Sequence, residues 1–144
     1  MQKRVIYTVV FIFALVAVRM VGPHVFYDPL IDFFHLPNYQ NQPLPEIEGW
    51  KYGFSLFARF SLNTLITLGL IKEVFNKSDL VKLTLVLLGL VFVILAPILI
   101  WLVYNADFDQ YRYLFYTRRI LIHPILTLIL IPAFLYNDRV SKKE

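Results

Sequence analysis

The chain has 144 residues, a formal charge of +4 and no cysteine, and 58% of its residues are hydrophobic. One domain fits that length, and the missing thiols exclude disulfides, thiolate metal sites and cysteine nucleophiles. The apolar fraction exceeds the roughly 45–50% of ordinary soluble domains, and it falls in long blocks joined by short polar links, the pattern of a polytopic membrane protein.

The first block covers residues 5–21 and follows Lys3 and Arg4. A basic flank and an apolar core also open a secretory signal. Here the apolar run is longer than a usual signal core, and the following "GPHVFYDP" has no small-x-small cleavage site, so a retained helix is expected. Residues 22–49 form the longest polar stretch, and Pro23, Pro29, Pro37, Pro43 and Pro45 argue against a long helix there. Asp28 before Pro29 suits the cap of a short interfacial helix ending near Leu36.

A second span is expected over residues 50–71, with Trp50 and Tyr52 as interfacial anchors. Arg59 and Asn63 interrupt it on one helical face. The link "KEVFNKSD" offers Ser78 as a cap for the third span, residues 80–104, which carries no charge after Lys82 and has Pro97 inside it. A short acidic and aromatic link with Asp107 and Asp109 precedes the fourth span, residues 114–136, which contains Pro124 and Pro132. Pro124 leaves the carbonyl of Ile120 without its helical partner, so a donor such as Arg119 or a neighbouring helix is needed. The expected fold is all-α: a single domain of four transmembrane helices with a short interfacial helix in the first outer loop.

Four spans put both ends of the chain on one side. Lys3, Arg4, Lys72, Lys77, Lys82, Arg139, Lys142 and Lys143 share that side, against Lys51 and Arg112 on the other, with Arg118 and Arg119 at its membrane border. The excess of basic residues makes it the cytoplasmic side. Arg19, Arg59, Arg118, Arg119 and His123 then all lie in the outer half. Arginine at mid-membrane costs about 2.5–3.5 kcal/mol on insertion scales, and near a helix end it can snorkel to the interface. The acids available as counter-charges are Asp28, Asp32, Asp107 and Asp109, all on outer connections.

Neighbouring residues on a helix point about 100° apart, from ~3.6 residues per turn, so Arg118 and Arg119 cannot do the same job. Arg119 and His123 share a face and are the expected pocket pair, with Arg118 as the interface anchor. The candidate binding set is therefore Arg19, Arg59, Asn63, Arg118, Arg119 and His123. Against it stands a structural reading, in which these arginines only snorkel or pair with the outer aspartates.

No catalytic residue is expected. Ser55 and Ser61 lie near Arg59, but a membrane serine usually bonds back to a helix. His24, Asp28 and Asp32 have helical spacing for a metal, yet Pro23 and Pro29 argue against one continuous helix, so neither a metal nor any other cofactor is expected. There is no glycine-rich phosphate loop, and the basic residues are not arranged for nucleic acid.

Three strings carry a resemblance: "FYDPLIDFF" at 26–34, "ARFSLNTLITLGLI" at 58–71 and "YRYLFYTRRILIHPILTLILIPAFLYN" at 111–137. Together they resemble the small exosortase F system-associated membrane proteins of flavobacteria, most specifically in the run from Tyr113 to Pro124 and in Arg59 to Asn63. The resemblance covers most of the chain. It implies a multi-pass protein of a bacterial inner membrane that accompanies an exosortase, a membrane transpeptidase-like enzyme that processes carboxy-terminal sorting signals. Without a thiol the chain cannot be that enzyme. The partners implied are membrane lipid and the exosortase, or the sorting-signal helix of its substrate, met through the outer arginines. The alternative is a protein that binds a lipid headgroup or another anion, or an enzyme acting on a headgroup.

Overall fold

The computed structural model describes residues 2–141, and among these every regular element is a helix. In chain order they are α1 (Gln2–Val25), α2 (Leu30–His35), α3 (Gly49–Phe75), α4 (Ser78–Asn105), α5 (Tyr111–Ile122) and α6 (Ile125–Ser141), with 3-10 turns at Tyr39–Asn41 and Phe108–Gln110. The helices α1, α3 and α4 are each long and apolar enough to cross a membrane. The segment from Phe108 to Ser141 passes the same test only as a pair, bent by 58° between α5 and α6. Large side chains on the outside of the bundle remain exposed, among them Phe13 at 73% and Val93 at 69%. Apolar surface on that scale calls for lipid or another apolar partner.

Neighbouring helices run antiparallel. Gly22 on α1 lies against Arg59 on α3, and Phe11 lies against Gly69, so residue numbers run in opposite directions along the contact. The turn from α3 to α4 is closed by Asn76 in the left-handed region (φ 53°), whose N–H donates to the Lys72 carbonyl at 2.9 Å. Asparagine tolerates that conformation and ends a helix there. Phe60 and Phe57 on α3 then meet Phe92 on α4 at 4.7 and 5.7 Å between ring centroids. Ser78 is the first residue of α4 and makes no side-chain cap, contrary to the expectation from sequence; the cap position falls on Lys77.

Pro23 lies inside α1, so the first helix runs past the expected end at residue 21 to Val25. The α1–α3 connection packs into the fold through α2. Leu30 and Phe33 of α2 are buried, and Phe33 packs edge-on against Tyr111 at 5.4 Å. With Tyr52, Leu56, Leu99 and Leu114 they form the main core, at the end of the bundle that carries the connections. The Tyr111 hydroxyl ties α5 to the connection by donating to the Gln42 carbonyl at 3.0 Å. At the opposite end Phe75 meets Phe134 at 5.8 Å and Lys77 pairs with Asp138. The α3–α4 turn and the end of α6 therefore sit together.

Candidate functional site

The site lies where α1, α3 and α5 approach one another just below the connection. α3 builds one wall from a stripe of buried residues, Tyr52, Ser55, Leu56, Arg59, Asn63, Thr67 and Leu70. Spacings of three and four keep them on one face. α5 contributes Tyr111, Leu114, Arg118 and Leu121 by the same rule.

Asp28, in the bend between α1 and α2, points into this junction with its side chain only 3% exposed. Arg118 grips it with both arms of the guanidinium. Nε donates to Oδ1 at 3.2 Å and Nη2 to Oδ2 at 2.6 Å. Such two-pronged, charge-assisted contacts are the stronger kind of hydrogen bond. Arg59 approaches the same carboxylate, with Nη1 3.8 Å from Oδ2. The Phe34 ring lies 5.9 Å from the Arg118 guanidinium carbon, within cation–π range. Asp28 therefore ties the connection to α3 and α5 at once. Its carboxylate does not cap α2: the cap position is Pro29, without a side-chain hydrogen bond.

Room for Arg59 comes from Gly22. A Cβ added there would lie 2.9 Å from the Arg59 guanidinium carbon, so a side chain at this position would push that group aside. The Tyr52 hydroxyl is buried beside this group without a hydrogen-bond partner. The void enclosed by Asp28, Tyr52 and Arg59 is about 10 Å³, at the lower limit for one water. Asp28, Arg59 and Arg118 thus form a closed clasp. Two guanidiniums against one carboxylate leave it one positive charge in excess.

The roles expected of the paired arginines are exchanged. Arg118 faces the interior and Arg119 is exposed, its guanidinium carbon 6.0 Å from the Phe115 ring. The 100° offset does separate the two, and the buried carboxylate of Asp28 draws in Arg118. Of the expected counter-charges only Asp28 is used. Asp32, Asp107 and Asp109 are exposed and have no basic group within ion-pair distance among the described residues.

Asn63 belongs to the frame of the site. Its Nδ2 donates to the Ile122 carbonyl at 2.9 Å, where α5 stops. Pro124 is the cause of that stop. It lacks an N–H, and it holds the preceding residue in an extended conformation, as seen at His123 (φ −97°, ψ 143°). The fourth apolar block is therefore a bent pair and not the continuous helix expected over 114–136. The carbonyl rescued from α3 is that of Ile122. One turn further along α3, the Thr67 and Thr127 hydroxyls share a hydrogen bond of 2.8 Å, which holds the start of α6.

The bend opens a cleft between α1 and α6. Arg19, Arg119 and His123 border two cavities that meet there. One, of about 420 Å³, lies toward the connection and is walled also by Phe34, Phe115 and the two clasp arginines, Arg59 and Arg118. The other, of about 390 Å³, runs down between Ile12, Val16, Leu128 and Ile131. Among the described residues no acid lies within ion-pair distance of Arg19 or Arg119. His123 Nδ1 is buried and has no hydrogen-bond partner. Five of the six expected binding residues, Arg19, Arg59, Arg118, Arg119 and His123, thus border the upper cavity; Arg59 and Arg118 pair there with Asp28, Arg19 and Arg119 do not, and Asn63 belongs to the frame.

Sequence reasoning missed Gly22, Thr67 and Thr127, and took Tyr52 for an interface anchor. Thr67 did carry a signal, four residues after Asn63 on the same face. Among the described residues no three of His, Cys, Asp and Glu come together as a metal site, and the His24, Asp28, Asp32 spacing is dissolved by the turn of Asp28 toward the arginines. No protein-family model, no curated protein and no solved structure matches the chain.

Proposed function

We propose that the chain is an accessory integral membrane protein that binds through Arg19 and Arg119. The observation that carries this reading is the division of charge. Four arginines border one cavity; Asp28 pairs with Arg118 at 2.6 Å and with Arg59 at 3.8 Å, while Arg19 and Arg119 have no acid within ion-pair distance among the described residues. Cations kept in an apolar setting without a partner are costly, and an anionic group supplied from outside the chain relieves that cost.

The setting follows from the resemblance at 26–34, 58–71 and 111–137: a protein of a bacterial inner membrane that serves an exosortase sorting system. On this reading the bent pair is the fourth span, the bias of basic residues supports cytoplasmic termini, and α2 lies at the outer interface. The partner is the exosortase or its substrate's sorting helix, whose residues flanking the membrane reach the outer cavity. Co-purification from the host membrane in mild detergent tests this. The native chain is expected to bring the exosortase or a sorting substrate with it, and Arg119→Gln to bring less. Recovery of the native chain alone, with normal substrate processing after its deletion, overturns the assignment.

A second reading, a lipid-headgroup binder, is favoured by one specific feature: the cationic mouth opens onto an apolar groove.

A further inference from the structure

We infer that the cleft between α1 and α6 holds one net-anionic glycerophospholipid. Its phosphodiester sits on Arg19 and Arg119 beside His123, and one acyl chain fills the groove below. This rests on the second reading just given and adds the class of ligand and its seat.

The open cations of Arg19 and Arg119 make the mouth a site for a group rich in acceptors. The nearby clasp adds one uncompensated positive charge, which works against a headgroup that carries its own ammonium. Below the mouth the lining is aliphatic, from Val16 and Ile12 on α1 and from Leu128 and Ile131 on α6. From Arg19 to Ile12 the groove descends roughly 10 Å at ~1.5 Å per residue. That stays within one leaflet, about half of a ~30 Å core.

The test uses the full-length protein reconstituted in nanodiscs of phosphatidylcholine with a minor share of phosphatidylglycerol. It is then extracted in mild detergent and its retained lipid is measured by native mass spectrometry. The native chain is expected to retain one phosphatidylglycerol in preference to phosphatidylcholine. Arg19→Gln with Arg119→Gln is expected to lower that preference about tenfold, the order for losing a charge-assisted hydrogen bond, with unchanged thermal unfolding. Leu128→Trp, which narrows the groove, is expected to lose the lipid while still binding soluble glycerol phosphate. Equal retention of the two lipids by the native chain overturns the inference, as does a preference that survives the double substitution. Displacement of the lipid by soluble glycerol phosphate at equal concentration overturns the acyl seat and leaves the anion-binding reading standing. Absence of both lipid preference and glycerol phosphate binding removes that reading too.

Discussion

Asp28 meets two guanidiniums with one carboxylate, and removing its charge leaves both unpaired in a place with little water. Loss of one partner from a buried ion pair costs about 3–5 kcal/mol. Asp28→Asn is therefore expected to lower the thermal unfolding midpoint in detergent sharply, whereas Asp109→Asn, on an exposed residue, is expected to leave it unchanged. Gly22→Ala acts on the same group from the other side. Its new Cβ meets the Arg59 guanidinium carbon at 2.9 Å, and overpacking of that kind costs about 1–3 kcal/mol; the same unfolding measurement checks it. The sequence makes Asp28 one of four candidate counter-charges and offers nothing to rank them, because all four lie on connections. Nor does it rank the two arginines. On α5 the stripe through Leu114, Arg118 and Leu121 is as apolar as the one through Phe115, Arg119 and Ile122. The inward face is settled by a carboxylate contributed from ninety positions away in the chain.

At the level of helices, the break between α5 and α6 shapes the cleft. Pro124 makes the break, and α3 repairs it through Asn63 and Thr67. In a membrane an unsatisfied carbonyl has no water to turn to. Interhelical hydrogen bonds there average about 0.6 kcal/mol and reach about 1.7. Asn63→Leu is expected to destabilise by an amount near the top of that range, since it strips the Ile122 carbonyl of its donor. A Thr67→Val variant in the same unfolding assay should cost less, because it removes a hydroxyl–hydroxyl contact and leaves no backbone carbonyl without a donor. The long elements were legible from hydropathy, and so was the need for a donor near Pro124. The bend was not, because a proline inside an apolar block is compatible with either a kink or a break. What decides here is Asn63 on a neighbouring helix, a contact that local sequence does not encode.

For the whole molecule, three long helices and a bent pair enclose a core concentrated at one end, with the α3–α4 turn and the end of α6 at the other. The absence of cysteine makes the proposed orientation open to direct measurement. A single cysteine at Asp109 is expected to react with a membrane-impermeant maleimide in intact cells, and one at Asn76 only after lysis; the reverse pattern would invert the topology. Hydropathy and basic-residue bias carried this level of the reading, since both are sums over many residues. Of two adjacent arginines, Arg118 belongs to the fold and Arg119 to the cleft. Thermal unfolding of Arg118→Gln and Arg119→Gln in detergent, side by side, tests it most directly. Arg118→Gln should be destabilised by about 3–5 kcal/mol, the range for a broken buried pair, and Arg119→Gln should unfold like the native chain. Equal destabilisation of the two, or a native-like Arg118→Gln, would contradict the account.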